Sequence, residues 1–261
     1  MPTVDDIICE IEKIANPQYA YRWDNCGLCA GDKNAKVKNV LITLDVTAQV
    51  VKEAIDKDCQ MIISHHPIIF KPISSAGIET YEGEILALLY KNDIALFSAH
   101  TSLDIAFGGV NDALAEKLGL LNIKAHAPFE FEGVSCVRAG ELYRELSKQE
   151  LIEFVKEKTG AKTLNYYLED KRYKKIALST GAGEDFAFNC KDQDVFLTGE
   201  IKYHTALELK RRNISFIAAG HYNTEIHFAD KFKACLQKAV DMLQYNVTFL
   251  TSEINTNPFE N

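Results

Sequence analysis

Asp58-Cys59-Gln60-Met61-Ile62-Ile63-Ser64-His65-His66 and Asp192-Gln193-Asp194-Val195-Phe196-Leu197-Thr198-Gly199-Glu200 follow one plan. Each has a short β-rich apolar run that stops at polar, chemistry-bearing side chains. A helical pattern follows each, and then a second apolar run that ends at a histidine. That second run is Asn92-Asp93-Ile94-Ala95-Leu96-Phe97-Ser98-Ala99-His100 in the first case. It is Arg212-Asn213-Ile214-Ser215-Phe216-Ile217-Ala218-Ala219-Gly220-His221 in the second. A carboxylate stands four residues past each histidine, at Asp104 and at Glu225. The shared order of strand, helix, strand, histidine and carboxylate implies an internal duplication. The expected fold is α/β, with two βαβ-type halves in pseudo-twofold relation. Sites in open α/β sheets form at the carboxyl ends of the strands, so a dimetal site is expected in the crevice between the halves.

The rest of the chain extends this reading. Strand-length apolar runs recur at Val40–Leu44, Met61–Ile63, Ile94–Phe97, Val134–Val137, Ile176–Leu178, Val195–Leu197, Phe216–Ala218 and Val247–Leu250. One helix opens at Thr3, with Asp6 three residues on, and another at Ser147 with Glu150; Gly160 stops the second. Helical patterns also cover Ala48–Asp56, Glu82–Tyr90, Val110–Leu118, Tyr203–Arg212 and Glu225–Leu243. This alternation predicts mostly parallel pairing. The expected division puts residues 1–125, completed by 215–261, in the first half and 126–214 in the second.

Bulk properties narrow the function. At 261 residues, 47% hydrophobic and 25% charged, the chain can bury a sizeable core. The start Met1-Pro2-Thr3-Val4-Asp5-Asp6 lacks a basic, apolar leader, and no apolar run approaches the ~18 residues of a membrane span. A cytoplasmic protein is expected. The net charge of −8 disfavours broad nucleic-acid binding. Seven cysteines at irregular spacing fit reduced thiols. Cys26-x-x-Cys29 has no second pair to complete a zinc site and reads as two buried thiols.

The histidines carry the chemistry. Taken alone, His65-His66 reads better as one core and one surface histidine, because neighbours on an extended chain point to opposite faces. His100-x-x-x-Asp104 and His221-x-x-x-Glu225 change that balance. Residues four apart share one face of a helical turn, so each pair would present an imidazole and a carboxylate together. Such donors suit Zn, Fe or Mn. A carboxylate can bridge two ions, and Glu225, with the longer side chain, is the expected bridge, Asp104 a terminal ligand. His126 and His227 read as structural, in a loop and on the opposite face of a helix. His100 reads as a non-ligand near the site. For Glu200 and His204, function and a simple helix-dipole preference weigh equally. Asp24 and Asn25 read as turn caps, and Gly181-Ala182-Gly183 as a plain turn.

Ser64-His65-His66-Pro67, His100-Thr101-Ser102-Leu103-Asp104 with Asn111 and Asp112, Thr198-Gly199-Glu200 and Gly220-His221-Tyr222-Asn223-Thr224-Glu225 together resemble the Nif-three-like family, also called GTP cyclohydrolase 1 type 2 homologues. Trp23-Asp24-Asn25-Cys26-Gly27-Leu28 resembles its N-terminal segment. The likeness covers nearly the whole chain. It implies His65, His66, Asp104, His221 and Glu225 as ligands of two divalent ions, a homohexameric ring, and hydrolytic opening of a nucleotide's imidazole ring. The chain resembles the family's short form.

Two functional readings follow. The first is a metal-dependent hydrolase acting on a nucleotide or related anionic heterocycle, with His100 as proton carrier and Lys71 as a source of attraction for the anion. The second is a non-catalytic metal-binding scaffold or regulatory interaction protein.

Overall fold

The computed structural model describes residues 1–131 and 133–259. In chain order the first elements are α1 (Val4–Ile14), β1 (Gly27–Ala30), β2 (Asn39–Thr43), α2 (Ala48–Asp56), β3 (Met61–Ser64), α3 (Tyr81–Lys91), β4 (Ala95–Ser98) and α4 (Thr101–Ile105). Next come α5 (Val110–Lys117), β5 (Leu121–His126), β6 (Val137–Leu146), α6 (Lys148–Thr159), β7 (Asn165–Tyr167), β8 (Tyr173–Ser179) and β9 (Val195–Thr198). The last are α7 (Tyr203–Arg211), β10 (Phe216–Ala218), α8 (His221–Glu225), α9 (Phe228–Met242) and β11 (Thr248–Thr251). The chain divides into two compact units, Met1–Leu103 with Ala229–Pro258, and Asp104–Phe228 with Phe259.

In the first unit the sheet order is β1-β4-β3-β2-β11. The strands β11, β2, β3 and β4 run parallel, and β1 closes one edge antiparallel. Strands β3 and β4 are buried throughout, as central parallel strands must be when elements cover both faces. Val50, Val51 and Ala54 of α2 and Ile85 and Leu89 of α3 pack with Leu41, Ile62 and Leu96 of the strands. Strands β3 and β4 stop in register, Ser64 opposite Ser98, so His65-His66 and Ala99-His100 leave the sheet at one edge. Helix α1 begins at the expected capping box. Thr3 Oγ1 accepts from Asp6 N–H at 3.2 Å, and Thr3 N–H donates to the Asp6 carboxylate at 2.7 Å.

The second unit holds a six-stranded sheet, β5-β6-β8-β9-β10-β7. Strands β8, β9 and β10 are parallel, and the remaining pairings are antiparallel. Side chains alternate across it. Ile176, Leu178, Val195 and Leu197 pack with Leu151, Ile152 and Val155 of α6, whereas Ala177, Phe196 and Phe216 pack with Leu209 of α7. The Ser147–Glu150 capping box starts α6, and Gly160 ends it at φ 74°, a left-handed conformation favouring glycine.

Several expectations change. Strand β10 pairs with β9 and β7, and β5 pairs with β6, so both belong to the second sheet. The boundaries therefore fall after 103 and 228, not at 125 and 214. The run Val134–Val137 marks only the entry to β6. The expected helix Glu225–Leu243 is two helices, α8 and α9, and His227 lies in the turn between them. His126 is the last residue of β5 and not in a loop. No helix among the described residues is long and apolar enough to cross a membrane.

Candidate metal centre

The edge where β3 and β4 end gathers three imidazoles. The ring centroids of His65, His66 and His100 lie 5.0 to 5.5 Å apart, and one ring nitrogen of each lies within 4.8 Å of the others. Each ring is held by an oxygen at Nδ1. For His65 it is the Ala99 carbonyl at 2.9 Å, for His66 the Asp45 carboxylate at 2.7 Å, and for His100 the Asp24 carboxylate at 2.8 Å. Carbonyl and carboxylate oxygens accept, so Nδ1 carries a proton and Nε2 is the nitrogen left to offer a lone pair. Metal-binding histidines are oriented in this way, by an acceptor on the second nitrogen.

Asp24 is the most elaborately held of these partners. Its side chain has no exposed surface. One carboxylate oxygen takes the His100 Nδ1–H. The other accepts from the Thr101 N–H at 3.0 Å, the Thr101 hydroxyl at 2.5 Å and the Cys26 thiol at 3.0 Å. Burial alone would raise the Asp24 carboxyl, but these hydrogen bonds, led by His100 and Thr101, hold it well below the usual carboxylate range. Asp24 is thus more than a turn cap. Cys26 and Cys29 are half-buried and unbridged, and burial raises both thiols above their ordinary value.

In the second unit, α8 presents His221 and Glu225, with Nε2 and Oε2 3.1 Å apart. His221 Nδ1 faces the Glu200 carboxylate at 3.1 Å. If Nδ1 donates to Glu200, the Nε2 lone pair and a carboxylate oxygen face each other, and a shared proton or a cation relieves that repulsion. The donor set therefore fits a divalent ion on its own chemistry. Gly181 sits against this pair at φ +58°. A Cβ there would collide with Glu225 Oε1 and lie 3.0 Å from His221 Nε2. The Gly181–Gly183 segment is thus a close-approach turn and not the plain turn expected. Asp104 lies on α4, and its carbonyl accepts from Asn111 Nδ2 at 3.0 Å. Asn111 Oδ1 in turn accepts from the Thr180 N–H at 2.8 Å, beside Gly181. His204 is exposed on α7, next to Tyr203. His126 is fixed between the Ala127 carbonyl and Asp192.

The signals missed in the sequence were therefore Asp24, Asp45 and Gly181. Asp24 and Gly181 stood out in the sequence but only as turn residues, and Asp45 did not stand out at all.

These features define a class, an α/β protein with His and Glu groups that can hold a metal ion. The chain belongs to the Duf34/NIF3 (NGG1p interacting factor 3) family, whose model matches residues 2–258. It is 35% identical to a Clostridium perfringens protein named GTP cyclohydrolase 1 type 2 homolog, covering 98% of each chain. It is 30% identical to NIF3-like protein 1 of Drosophila melanogaster, over 97% of this chain and 87% of that one. The crystal structure of a Staphylococcus aureus hypothetical protein superposes with a TM-score of 0.94 at 28% identity, covering 100% of both chains.

Proposed function

We propose that this protein is a metal-dependent hydrolase of an anionic heterocycle. In this proposal His65, His66, Asp104, His221 and Glu225 hold two divalent ions. The observation that supports it best is the shared orientation of the imidazoles, each with Nδ1 on an oxygen acceptor. Two divalent ions would supply a hydroxide at neutral pH and polarise the bond under attack. The residues of the chain then divide the remaining work. Glu225 and Asp104 would supply the carboxylate ligands, with Glu225 the one shared. His100, oriented by Asp24, carries the proton. The names of the relatives bring the cyclohydrolase class to this proposal, and the acceptor-oriented imidazoles supply the means.

The test is metal content first and turnover second. Purified protein should carry close to two transition-metal ions per chain, lost on chelation. Glu225→Gln should remove more metal than Asp104→Asn, and His100→Ala should keep both ions. Full occupancy in a His65→Ala, Glu225→Gln double variant rejects the ligand assignment. Loss of an ion in His100→Ala makes His100 a ligand and ends its assignment as proton carrier. Absence of turnover on nucleotides by fully metallated protein, followed by mass spectrometry, favours the scaffold reading.

A further inference from the structure

Beside the imidazole cluster, two loops border an open cavity of about 270 Å³ whose lining includes Trp23, Asp24, Asn25, Phe70 and Lys71; the Asp24 side chain itself has no exposed surface. Trp23 is 59% exposed and Phe70 46%. Large aromatic side chains normally bury most of their surface, so two neighbouring exposed ones mark a face shaped for something else. Their ring centroids are 5.8 Å apart and their planes 67° apart, which makes a floor and a wall. The other end of the cavity is chemical. The His100 ring lies 6.5 Å from Trp23 and 6.1 Å from Phe70. Asn25 Nδ2 donates to the Ile69 carbonyl at 2.6 Å and ties one loop to the other, so the walls keep a fixed separation. Trp23 is braced from behind by Tyr21, stacked at 5.3 Å. Lys71 is the one cation of the lining, and it makes no ion pair among the described residues.

We propose that this cavity binds a planar heteroaromatic ring bearing an anionic group, with the ring against Trp23 and Phe70 and the anion at Lys71. The inference rests on the hydrolase reading and gives its substrate a seat. The volume holds a fused ring and a small anionic group and is too small for a peptide helix or a polymer. Stacking tolerates any base, since each has a π-face, so the aromatic walls select flatness. In a chain of net charge −8, a cation without a partner carboxylate supplies the local attraction that the overall field denies to an anion.

Trp23 is the only tryptophan of the chain, so its fluorescence reports this cavity alone. AMP, adenosine and ribose 5-phosphate are suitable probes when excitation is set at the red edge of the indole band, where neither adenine nor tyrosine absorbs appreciably. The purified full-length protein is titrated before and after chelation, with affinities from calorimetry and metal content measured on the same samples. AMP should bind saturably and change Trp23 emission, adenosine should bind more weakly, and ribose 5-phosphate should leave Trp23 unaffected. Phe70→Ala should weaken AMP about tenfold, the scale of one lost stacking contact. Lys71→Met should abolish the preference for AMP over adenosine and leave adenosine unchanged. Both side chains are at the surface, and circular dichroism checks that each variant is folded. Equal binding of AMP and ribose 5-phosphate, or an unchanged AMP affinity in Phe70→Ala, overturns the proposal. So does a Trp23 that acrylamide cannot reach in the free protein, since another copy of the chain would then cover it. Two bound metals without ring binding leaves the metal site standing and removes the cavity. Ring binding without metal does the reverse.

Discussion

An ionised carboxylate only accepts hydrogen bonds, so Asp24 decides which nitrogen of His100 carries the proton. Asparagine at this position has one oxygen and one amino group. The Thr101 N–H and hydroxyl both call for the oxygen on their side, against the single Asn25 N–H on the His100 side, so two donors outweigh one. The amino group then faces His100 Nδ1, which must accept, and the proton moves to Nε2. Asp24→Asn is therefore expected to convert His100 from the Nδ1–H to the Nε2–H tautomer with the fold intact. Long-range ¹H–¹⁵N spectra of histidine-labelled protein, assigned with His100→Gln, read this directly. An unchanged tautomer would show that Asp24 merely supports the loop. If the protein turns over a substrate, the same change should cost about 10²–10⁴ in rate, the usual worth of general acid–base transfer. The histidines themselves were legible because each stands where an apolar run stops. Their oxygen partners were not. Asp24 and His100 are 76 positions apart, Asp45 and His66 are 21 apart, and only the fold brings them together.

Most elements could be read because parallel strands buried on both faces give unbroken apolar runs, as β2, β3, β4 and β9 do. The strands that escaped entirely, β1, β5 and β7, are sheet edges, and the interior β6 was caught only at its entry. An edge strand is covered less, so its residues mix polar and apolar types without a run, as in the largely exposed β5. The motif residue Asp112, grouped with the site by resemblance, turns out to hold α5 to β6. The Arg138 side chain is fully buried, and its Nε donates to Asp112 Oδ1 at 2.9 Å. Its other donors reach the Ser135, Ile105 and Ala106 carbonyls. Asp112→Ala should cost about 3–5 kcal/mol in urea unfolding, because it strands a buried cation. The double variant Asp112→Leu, Arg138→Met should recover most of that. A single variant within 1 kcal/mol of wild type, on the order of an exposed pair, would mean that carbonyls alone suffice for the guanidinium. In the first unit, Glu53 of α2 fastens the segment after β11. It accepts from Lys57 at 2.8 Å, from the Glu253 N–H at 2.8 Å and from the Ser252 hydroxyl. Burial raises its carboxyl, but these donors outweigh burial and hold it below its ordinary value. A depressed carboxyl stabilises the fold above its unfolded pKa of about 4.3 and loses that contribution as pH falls through the lower folded value. The stability gap between wild type and Glu53→Gln should thus be constant from pH 7 to 5 and shrink below pH 4. A gap that widens on acidification would show the sign to be wrong.

At the scale of the whole molecule, assembly is the property that composition leaves most open and charge makes testable. The resemblance implies a ring of six chains, each of 29.3 kDa and net charge −8. Same-sign charge opposes bringing copies together, and it does so over a Debye length of about 30 Å at 0.01 M salt but only about 8 Å at 0.15 M. Apolar interface burial does not weaken with added salt in this way. A ring held by apolar contact against net repulsion should therefore form at 0.15 M, persist at 1 M and loosen at 0.01 M. A ring held by ion pairs between copies should show the opposite order. Light scattering on the size-fractionated protein at the three ionic strengths separates the cases. Six-chain mass at 0.15 and 1 M with smaller species at 0.01 M fits the apolar ring. Loss of the ring at 1 M would assign its stability to ion pairs. A single-chain mass at every ionic strength across micromolar concentrations would reject the ring altogether.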